Sequence, residues 1–410
     1  MVKKNPAILP AIIFLALAAC FFTFQITYNV TDSMWRETVD EMIRTDTTRI
    51  SDDLSSLKQA VSGGYLYEVN ENNLVDGIMK GYVSGLGDKY AMYLNSKQYT
   101  DYIKTTTAST QVGIGVNLLY DSTLDGLYVV NVYDNSPAKD AGMVPGDIIT
   151  HINGTSVKTY GFYGSLLELG YGNEDDRIAV IFKKKNGENV STFINKRVVK
   201  AESIKSKRLG NSIGLISVSS FEADGKEKFV SAMESLIASG CEKFVIDIRN
   251  NCGGSIEEAT SILDFLLPSG TLVAVTDRTG TTNTIDSDVN ESPYPVAVLI
   301  NKGTVCEAEV FAAAMKNLGK AKLVGNVTYG KASKQSLFTL PDGGAVCFST
   351  SAYILSGGES FDSTGISPDM TVNLSDDVIM NFTSIDDSRD AQLQQAINYL
   401  KEIKAQNITY

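Results

Sequence analysis

Histidine is nearly missing from this chain. His151 is the single one among 410 residues. A Ser-His-Asp or Cys-His catalytic unit would have to use it, and a histidine-based metal centre is excluded at that count. A hydrolase built on this sequence must therefore take its general base from Lys, Asp or Glu. Cysteine is sparse: Cys20, Cys241, Cys252, Cys306 and Cys347, with no CxxC spacing. That pattern points to neither a zinc ribbon nor a redox motif, and at this chain length not to a disulfide framework. Positive charge is outnumbered, 36 Lys and Arg against 48 Asp and Glu, for a net charge of −12. With no basic cluster, the chain is a poor phosphate binder and nucleic acid is not an expected partner. Proline is modest and no repeat or low-complexity run occurs, so long disorder is not indicated.

What is present suits two or three folded units, with 43% apolar residues to form their cores. Lys3 and Lys4 precede an apolar run from about Ala7 to Phe24. Lysines retained on the cytoplasmic side direct the remainder outward. This predicts a transmembrane signal anchor over 1–31 and a body outside the cytoplasm, in a setting like the bacterial cell envelope. Leu17-Ala18-Ala19-Cys20 also resembles a lipoprotein cleavage box, although Phe21, Phe22 and Phe24 continue the apolar span. Either way the body is membrane-tethered.

Residues 32–104 read as a helical segment, with Trp35, Val39, Met42 and Ile43 at helical spacing and a break at Ser62-Gly63-Gly64-Tyr65. A second helix is predicted from Asn73 to Ser84, stopped by Gly85-Leu86-Gly87-Asp88. Thr105 to Thr110 reads as a polar linker. Residues 105–200 read as short strands and turns, among them Gly126–Val132, Ile148–Ile152 and the Asn153-Gly154 turn. Between 201 and 376 strands and helices alternate, which argues an α/β core. Phe244–Ile248 is continuously apolar, as strands buried in parallel sheets are. The tail, 377–410, ends in one more helix carrying Leu393, Ala396, Ile397 and Leu400. The fold class is thus α/β and β, multi-domain.

In α/β sheets ligands sit beyond the carboxyl ends of strands. Two such junctions carry chemistry. In Asp247-Ile248-Arg249-Asn250-Asn251-Cys252-Gly253-Gly254, paired glycines let backbone amides face a site unobstructed and stabilise an oxyanion. The alternative is an ordinary glycine-rich turn. In Asn301-Lys302-Gly303-Thr304-Val305-Cys306-Glu307, Cys306 stands where a following helix aims its positive pole, which favours a thiolate. The alternative is a small buried hydrophobe. A third segment, Tyr329-Gly330-Lys331-Ala332-Ser333-Lys334-Gln335, puts a lysine on a strand-like stretch after a glycine, where burial can hold it neutral. Most lysines are instead solvated.

Taken in series, these segments resemble the carboxyl-terminal processing (tail-specific) proteases. Gly303 to Glu309 is similar to that family's G-S-A-S-A-S-E, and Tyr329 to Gln335 to its F-G-K-G-x-x-Q. The first junction resembles L-D-L-R-x-N-P-G-G. Ala352–Gly358 and Gly365-Ile366-Ser367-Pro368-Asp369 resemble two later motifs, and Gly85–Tyr93 an upstream one. The resemblance covers nearly the whole chain in order. It implies Lys331 as general base, Gln335 as the residue orienting it, and an oxyanion hole from Gly253 or Gly254 with the amide of Glu307. The shortage of histidine agrees, since a lysine dyad needs none. The family's nucleophilic serine is here Cys306, also able to attack an acyl carbon. Cys252 stands for the family's proline and Ala332 for a glycine. Ser333, the hydroxyl nearest Lys331 in sequence, is a poor candidate for the nucleophile.

The middle region resembles a PDZ module, with Gly113, Ile114, Gly115 and Val116 as its carboxylate-binding loop and a strand edge that adds a peptide as a further strand. His151 falls on a strand of that module and reads as structural. The expected partners are proteins with unstructured C-terminal tails and the membrane, with a homodimer left open; no metal or organic cofactor is implied. The rival reading is a PDZ scaffold on a degenerate protease fold. A β-lactamase-like enzyme is disfavoured because Ser55–Lys58 and Ser136–Lys139 lack the accompanying triplets.

Overall fold

The computed structural model describes residues 47–88, 90–106, 111–121, 126–133, 135–170, 172–199, 203–288, 291–374 and 386–403. The anchor expected over 1–31, Cys20, and the helical pattern of Trp35, Val39, Met42 and Ile43 lie outside them. Among the described residues no helix is long and apolar enough to cross a membrane. The chain divides into two units, 1–74 and 75–410. In the first, one helix runs over 47–64, so Gly63 and Gly64 close the helix rather than interrupt it before Ser62. The predicted second helix spans Glu71–Ser84.

The second unit contains three sheets of five or six strands. The first is antiparallel, running from Val116–Asp121 through Gly126–Val132, Ile148–Ile152 and Arg177–Lys183 to Asn189–Asn195, with Val116–Asp121 at its edge. Leu127, Val129, Ile149, Ile152, Val180 and Phe182 form its core. Two helices accompany it, Pro137–Asp140 and Val157–Gly170. Ser136 caps the first, accepting from the Lys139 amide, with Pro137 in the opening turn where no amide is needed. The second departs from the strands-and-turns expectation, because its glycines and aromatics hide the helical period. Likewise the helix Ser96–Thr106 takes in Thr105 and Thr106, read above as linker.

The second sheet has six strands in the order Ile204–Arg208, Ile213–Val218, Lys243–Asp247, Val296–Ile300, Ala321–Gly325, Met370–Thr371. The first pairing is antiparallel and the others parallel. Its inner strands Lys243–Asp247 and Val296–Ile300 carry apolar runs, at Phe244–Ile246 and Val296–Ile300, because both faces are covered. Ile216, Phe244, Ile246, Val296 and Val298 face a core shared with helices Gly225–Ala238, Ile256–Leu266 and Glu307–Asn317. Alternate residues, Leu215, Val245, Ala297 and Leu299, face the tail helix Ala391–Glu402 through Leu393, Ala396, Ile397 and Leu400. A third, antiparallel sheet joins Met92–Leu94, Ala345–Ile354, Gly270–Asp277 and Thr282–Ser287, with Ser333–Thr339 also paired to Ala345–Ile354.

One ion cluster fixes the tail helix to the carboxyl end of the strand Lys243–Asp247. Arg249 donates to Asp247 at 2.8 and 2.6 Å and to Asp390 at 3.1 and 2.8 Å, all three buried. Asp390 also caps the tail helix, accepting the Leu393 amide at 3.0 Å. Burial opposes the guanidinium charge, but the two carboxylates outweigh it and the group is held more firmly protonated than usual. Removing one member of such a cluster leaves buried charge uncompensated. We expect Arg249→Ala to lower stability by about 3–5 kcal/mol in urea unfolding, with amide exchange accelerating first across 391–402. A change below about 1 kcal/mol, the level of an exposed pair, would show that the cluster is not structural.

Candidate active site

The two strand-to-helix junctions meet. Val305 donates its amide to the Asn251 carbonyl at 2.9 Å, and Thr304 Oγ1 donates to the Ile248 carbonyl at 3.0 Å. Asn301 and Asn250 are mutually bonded, Asn301 Nδ2 to Asn250 Oδ1 at 2.7 Å and Asn250 N to Asn301 Oδ1 at 3.0 Å. Parallel neighbours in the sheet bring Asp247 beside Leu299, so loops leaving those strand ends must lie together.

Cys306 begins the helix Glu307–Asn317 with φ 57 and ψ −115, a backbone region that a side chain other than glycine rarely takes. The residue is 3% exposed. What holds it is Glu309, three positions on and wholly buried. Glu309 Oε2 accepts the amides of Cys306 at 2.9 Å and Lys331 at 2.8 Å. Its other oxygen accepts the Gly330 amide at 2.6 Å and Thr328 Oγ1 at 2.5 Å. Burial pushes this carboxyl above its ordinary range, and the bonds from Thr328 and the amides pull it back. One carboxylate therefore ties the cysteine turn to the lysine segment. The sequence pattern includes this glutamate but says nothing of its role. Its position in the first turn is the only local signal, and that reads equally well as a favourable helix-end charge.

Lys331 is buried, and its Nζ donates to Gln335 Oε1 at 2.7 Å and lies 4.6 Å from the centre of the Tyr90 ring. Gln335 is oriented in turn, its Nε2 donating to Ser333 O, Ser333 Oγ and Ser349 Oγ at 3.1–3.2 Å. Ser333 thus supports Gln335, and its carbonyl lies 3.6 Å from Cys306 Sγ. The upstream motif reaches the same place: Asp88 accepts the Ser349 amide at 2.8 Å, beside Tyr90. The late motif does too, because Ile366 donates to Thr328 Oγ1 at 2.6 Å. A Cβ on Gly365 would come within 2.4 Å of the Thr328 carbonyl, so glycine is required there.

The glycine pair lies against the cysteine. Gly253 and Gly254 have φ 97 and 142. A Cβ on Gly254 would sit 2.3 Å from the Phe221 carbonyl oxygen, and one on Gly253 3.3 Å from Cys306 Cβ. Both amides already have partners: Gly253 donates to Asn251 Oδ1 at 2.8 Å and Gly254 to Glu307 Oε2 at 3.1 Å. The other Glu307 oxygen accepts from Cys306 Sγ at 3.2 Å and from Tyr353 Oη at 3.0 Å. The Cys306 thiol is pushed well above its usual range, first by burial and then by the Glu307 charge, with Lys331 pulling the other way. Lys331 pulls in the same sense on Cys252 and Cys347, which burial raises to about 12 and about 11.

The loop Gly113–Val116, expected to bind a carboxylate, lies between the Gln111–Gly113 strand, paired with Arg197–Val199, and the edge strand that begins at Val116. Gly115 has φ 77, and a Cβ there would strike Ser136 Cβ at 2.4 Å. Ile114 donates its amide to the Leu169 carbonyl, anchoring the loop to the helix Val157–Gly170. The edge strand also reaches the glycine-pair loop, where Cys252 Sγ lies 4.0 Å from the Leu118 carbonyl. His151 sits on the strand Ile148–Ile152 beside Thr150 Oγ1, apart from the groups around Cys306. No group of three or more potential metal ligands occurs among the described residues.

Residues 212–372 match the family model of peptidase family S41, and residues 128–182 that of the PDZ domain. The chain is 27% identical over 328 residues to a carboxy-terminal processing protease, CtpA, of Bacillus subtilis, covering 79% of this chain and 69% of that protein. It is 29% identical over 305 residues to a chloroplastic carboxyl-terminal-processing peptidase of Arabidopsis thaliana, covering 71% of this chain and 59% of the relative. Among solved structures, the photosystem II D1 C-terminal processing protease superposes with a TM-score of 0.64 at 22% identity, over 78% of this chain and 86% of that one, a likeness of fold. The chain belongs to the carboxyl-terminal processing protease family, with a family S41 peptidase core and a PDZ domain.

Proposed function

We propose that this protein is a membrane-tethered, extracytoplasmic endopeptidase that takes unstructured C-terminal tails on its PDZ domain and cuts them with Cys306 as nucleophile and Lys331 as general base. The observation that carries the reading is the shared carboxylate oxygen: Glu309 Oε2 holds the backbone of both Cys306 and Lys331. A nucleophile and a base from segments 25 residues apart in number, fixed on one atom, form a unit that packing alone does not require. The tether rests on the sequence, on Lys3 and Lys4 before the apolar run.

In this reading a tail adds to the sheet edge at Val116–Asp121 with its terminal carboxylate at the Gly113–Val116 loop. The edge strand adjoins the Cys252 loop, so the chain beyond the captured end starts near the cleft. Lys331, steered by Gln335, takes the proton from Cys306. The thiolate attacks the scissile carbonyl, and the charge that develops on its oxygen is met by amides of the glycine pair and of Glu307. Lys331 returns the proton to the leaving amine. Water then releases the acyl group from the sulfur, Lys331 again accepting a proton.

Full-length protein in mild detergent, offered unstructured β-casein, tests the dyad. Cys306→Ala and Lys331→Ala should each lower kcat by at least about 10³-fold, while binding of a tail peptide, lost on amidating its C-terminus, is unchanged in both. If only Cys306→Ser cuts, the chain is a disabled protease. If no form cuts any unstructured substrate while tail peptides still bind, the scaffold reading replaces this one.

The raised thiol makes a separate prediction. A group held above its ordinary pKa is mostly protonated at neutral pH and ionises only as pH rises. Alkylation of Cys306, followed by peptide mass spectrometry, should climb by about tenfold per pH unit without levelling off. A plateau near about pH 8.5 would mark an ordinary thiol.

A further inference from the structure

Glu307 is a buried carboxylate that the mechanism above does not use, yet it touches the nucleophile. The family pattern quoted earlier has alanine at this place. Here the side chain folds back over its own helix start. Oε2 accepts the Gly254 amide at 3.1 Å, while Oε1 accepts from Cys306 Sγ at 3.2 Å and Tyr353 Oη at 3.0 Å. The three donors come from three different elements: the glycine-pair loop, the cysteine turn and the strand Ala345–Ile354. The space is shaped for the carboxylate, since a Cβ at Gly253 would lie 2.3 Å from Glu307 Oε2.

A carboxyl group with one oxygen on the glycine-pair amide and the other at the sulfur sets its Oε2 at the donor a scissile carbonyl oxygen needs and its carbon on the side of the nucleophile. We propose that Glu307 is an internal occupant of the oxyanion pocket, its carboxylate standing in for the substrate carbonyl until a bound peptide displaces it. This rests on the reading of Cys306 as nucleophile. The carboxylate restrains the site in two ways. It fills the Gly254 donor, and its negative charge beside the sulfur opposes thiolate formation. Once Lys331 has taken the proton, its charge opposes that of Glu307, whereas buried Glu309 adds to it. Tyr353 can keep its bond to Oε1 when Oε2 leaves Gly254, so displacement needs a swing of the carboxylate rather than unfolding of the helix start. Substrate binding and release of the restraint are then one event, and an unoccupied protease stays quiet.

The test compares Glu307→Ala and Glu307→Gln with the parent, full length in detergent, with each variant's thermal melt checked. Alkylation by iodoacetamide at fixed pH is read at Cys306 by peptide mass spectrometry, with Cys347, which also lies near Lys331, as internal reference. We expect Cys306 to react at least about tenfold faster in Glu307→Ala, a shift of about one pKa unit, and faster in Glu307→Gln as well, with Cys347 unchanged. β-Casein cleavage should rise in parallel, as a gain in kcat more than a fall in KM. A folded Glu307→Gln protein whose Cys306 reacts no faster than the parent overturns the proposal. If Glu307→Ala fails to fold, Glu307→Gln alone decides. If Cys306 alkylation and cleavage both fall in Glu307→Gln, Glu307 acts as a base and the occupant reading is wrong. If alkylation rises but no form cuts casein, the occupant stands and the protease reading falls.

Discussion

The site depends on the four hydrogen bonds that converge on Glu309. Three backbone amides, of Cys306, Gly330 and Lys331, and the Thr328 hydroxyl point at its two oxygens. Without that carboxylate each would be a buried donor lacking an acceptor, at about 1–3 kcal/mol apiece. The positive φ of Cys306 is strained, and such a conformation persists only where surroundings over-determine it. Glu309 supplies that determination from inside the same helix. The bond to the Cys306 amide closes the first turn, and the bonds to Gly330 and Lys331 import a segment from the far side of the next strand. A helix start, a strained cysteine and a lysine strand thereby become one rigid object.

Other parts of the chain can be understood as supports for that object. Thr328 passes the constraint on to Ile366, and Gly365 makes room for it. Asp88 fixes Ser349, Ser349 fixes Gln335, and Gln335 fixes the lysine head group. Arg249 anchors the strand end before the glycine pair to the tail helix. Each support is a polar bond inside an apolar surround, where an unmade bond costs more than a made one gains. Such networks hold a geometry well without adding much to stability, which suits the proposed active site.

The sequence showed the junctions because their signals are local. The apolar run at Phe244, the paired glycines and the segment order are visible within a few residues of each other. Cys306 and Lys331 donate their amides to one Glu309 oxygen, and Lys331 bonds Gln335. The antiparallel module before residue 200 was readable from its turns, but its helix Val157–Gly170 was hidden, since Gly161, Gly164 and Gly170 weaken a helical period. Missed altogether were the side-chain roles of Glu309, Glu307 and Arg249. Their partners lie up to 143 residues away, and no periodicity encodes a side-chain bond over such a span. Glu307 and Glu309 also carry a plausible local explanation, acidic residues in a first helical turn, which conceals that both fold back into the site.

Those two glutamates differ in a way that decides the character of the site. Glu309 is saturated: four donors share its charge, and none can leave without breaking the turn. Glu307 is held by three, of which the Gly254 amide is the one that, on the proposed reading, a substrate oxygen claims. Facing them is the one lysine head group engaged at Gln335. With both carboxylates in place, the field at the sulfur favours the thiol. On the proposed reading, moving the Glu307 charge away leaves Lys331, once it has taken the proton, against a carboxylate already spread over four hydrogen bonds, and transfer from the thiol becomes more favourable. A thiol is suited to such control. It ionises within the range that one nearby charge can shift, whereas an alcohol stays protonated under either arrangement. Cysteine at the nucleophile position and glutamate beside it are therefore best understood as one paired departure from the family pattern, each giving the other its physical sense.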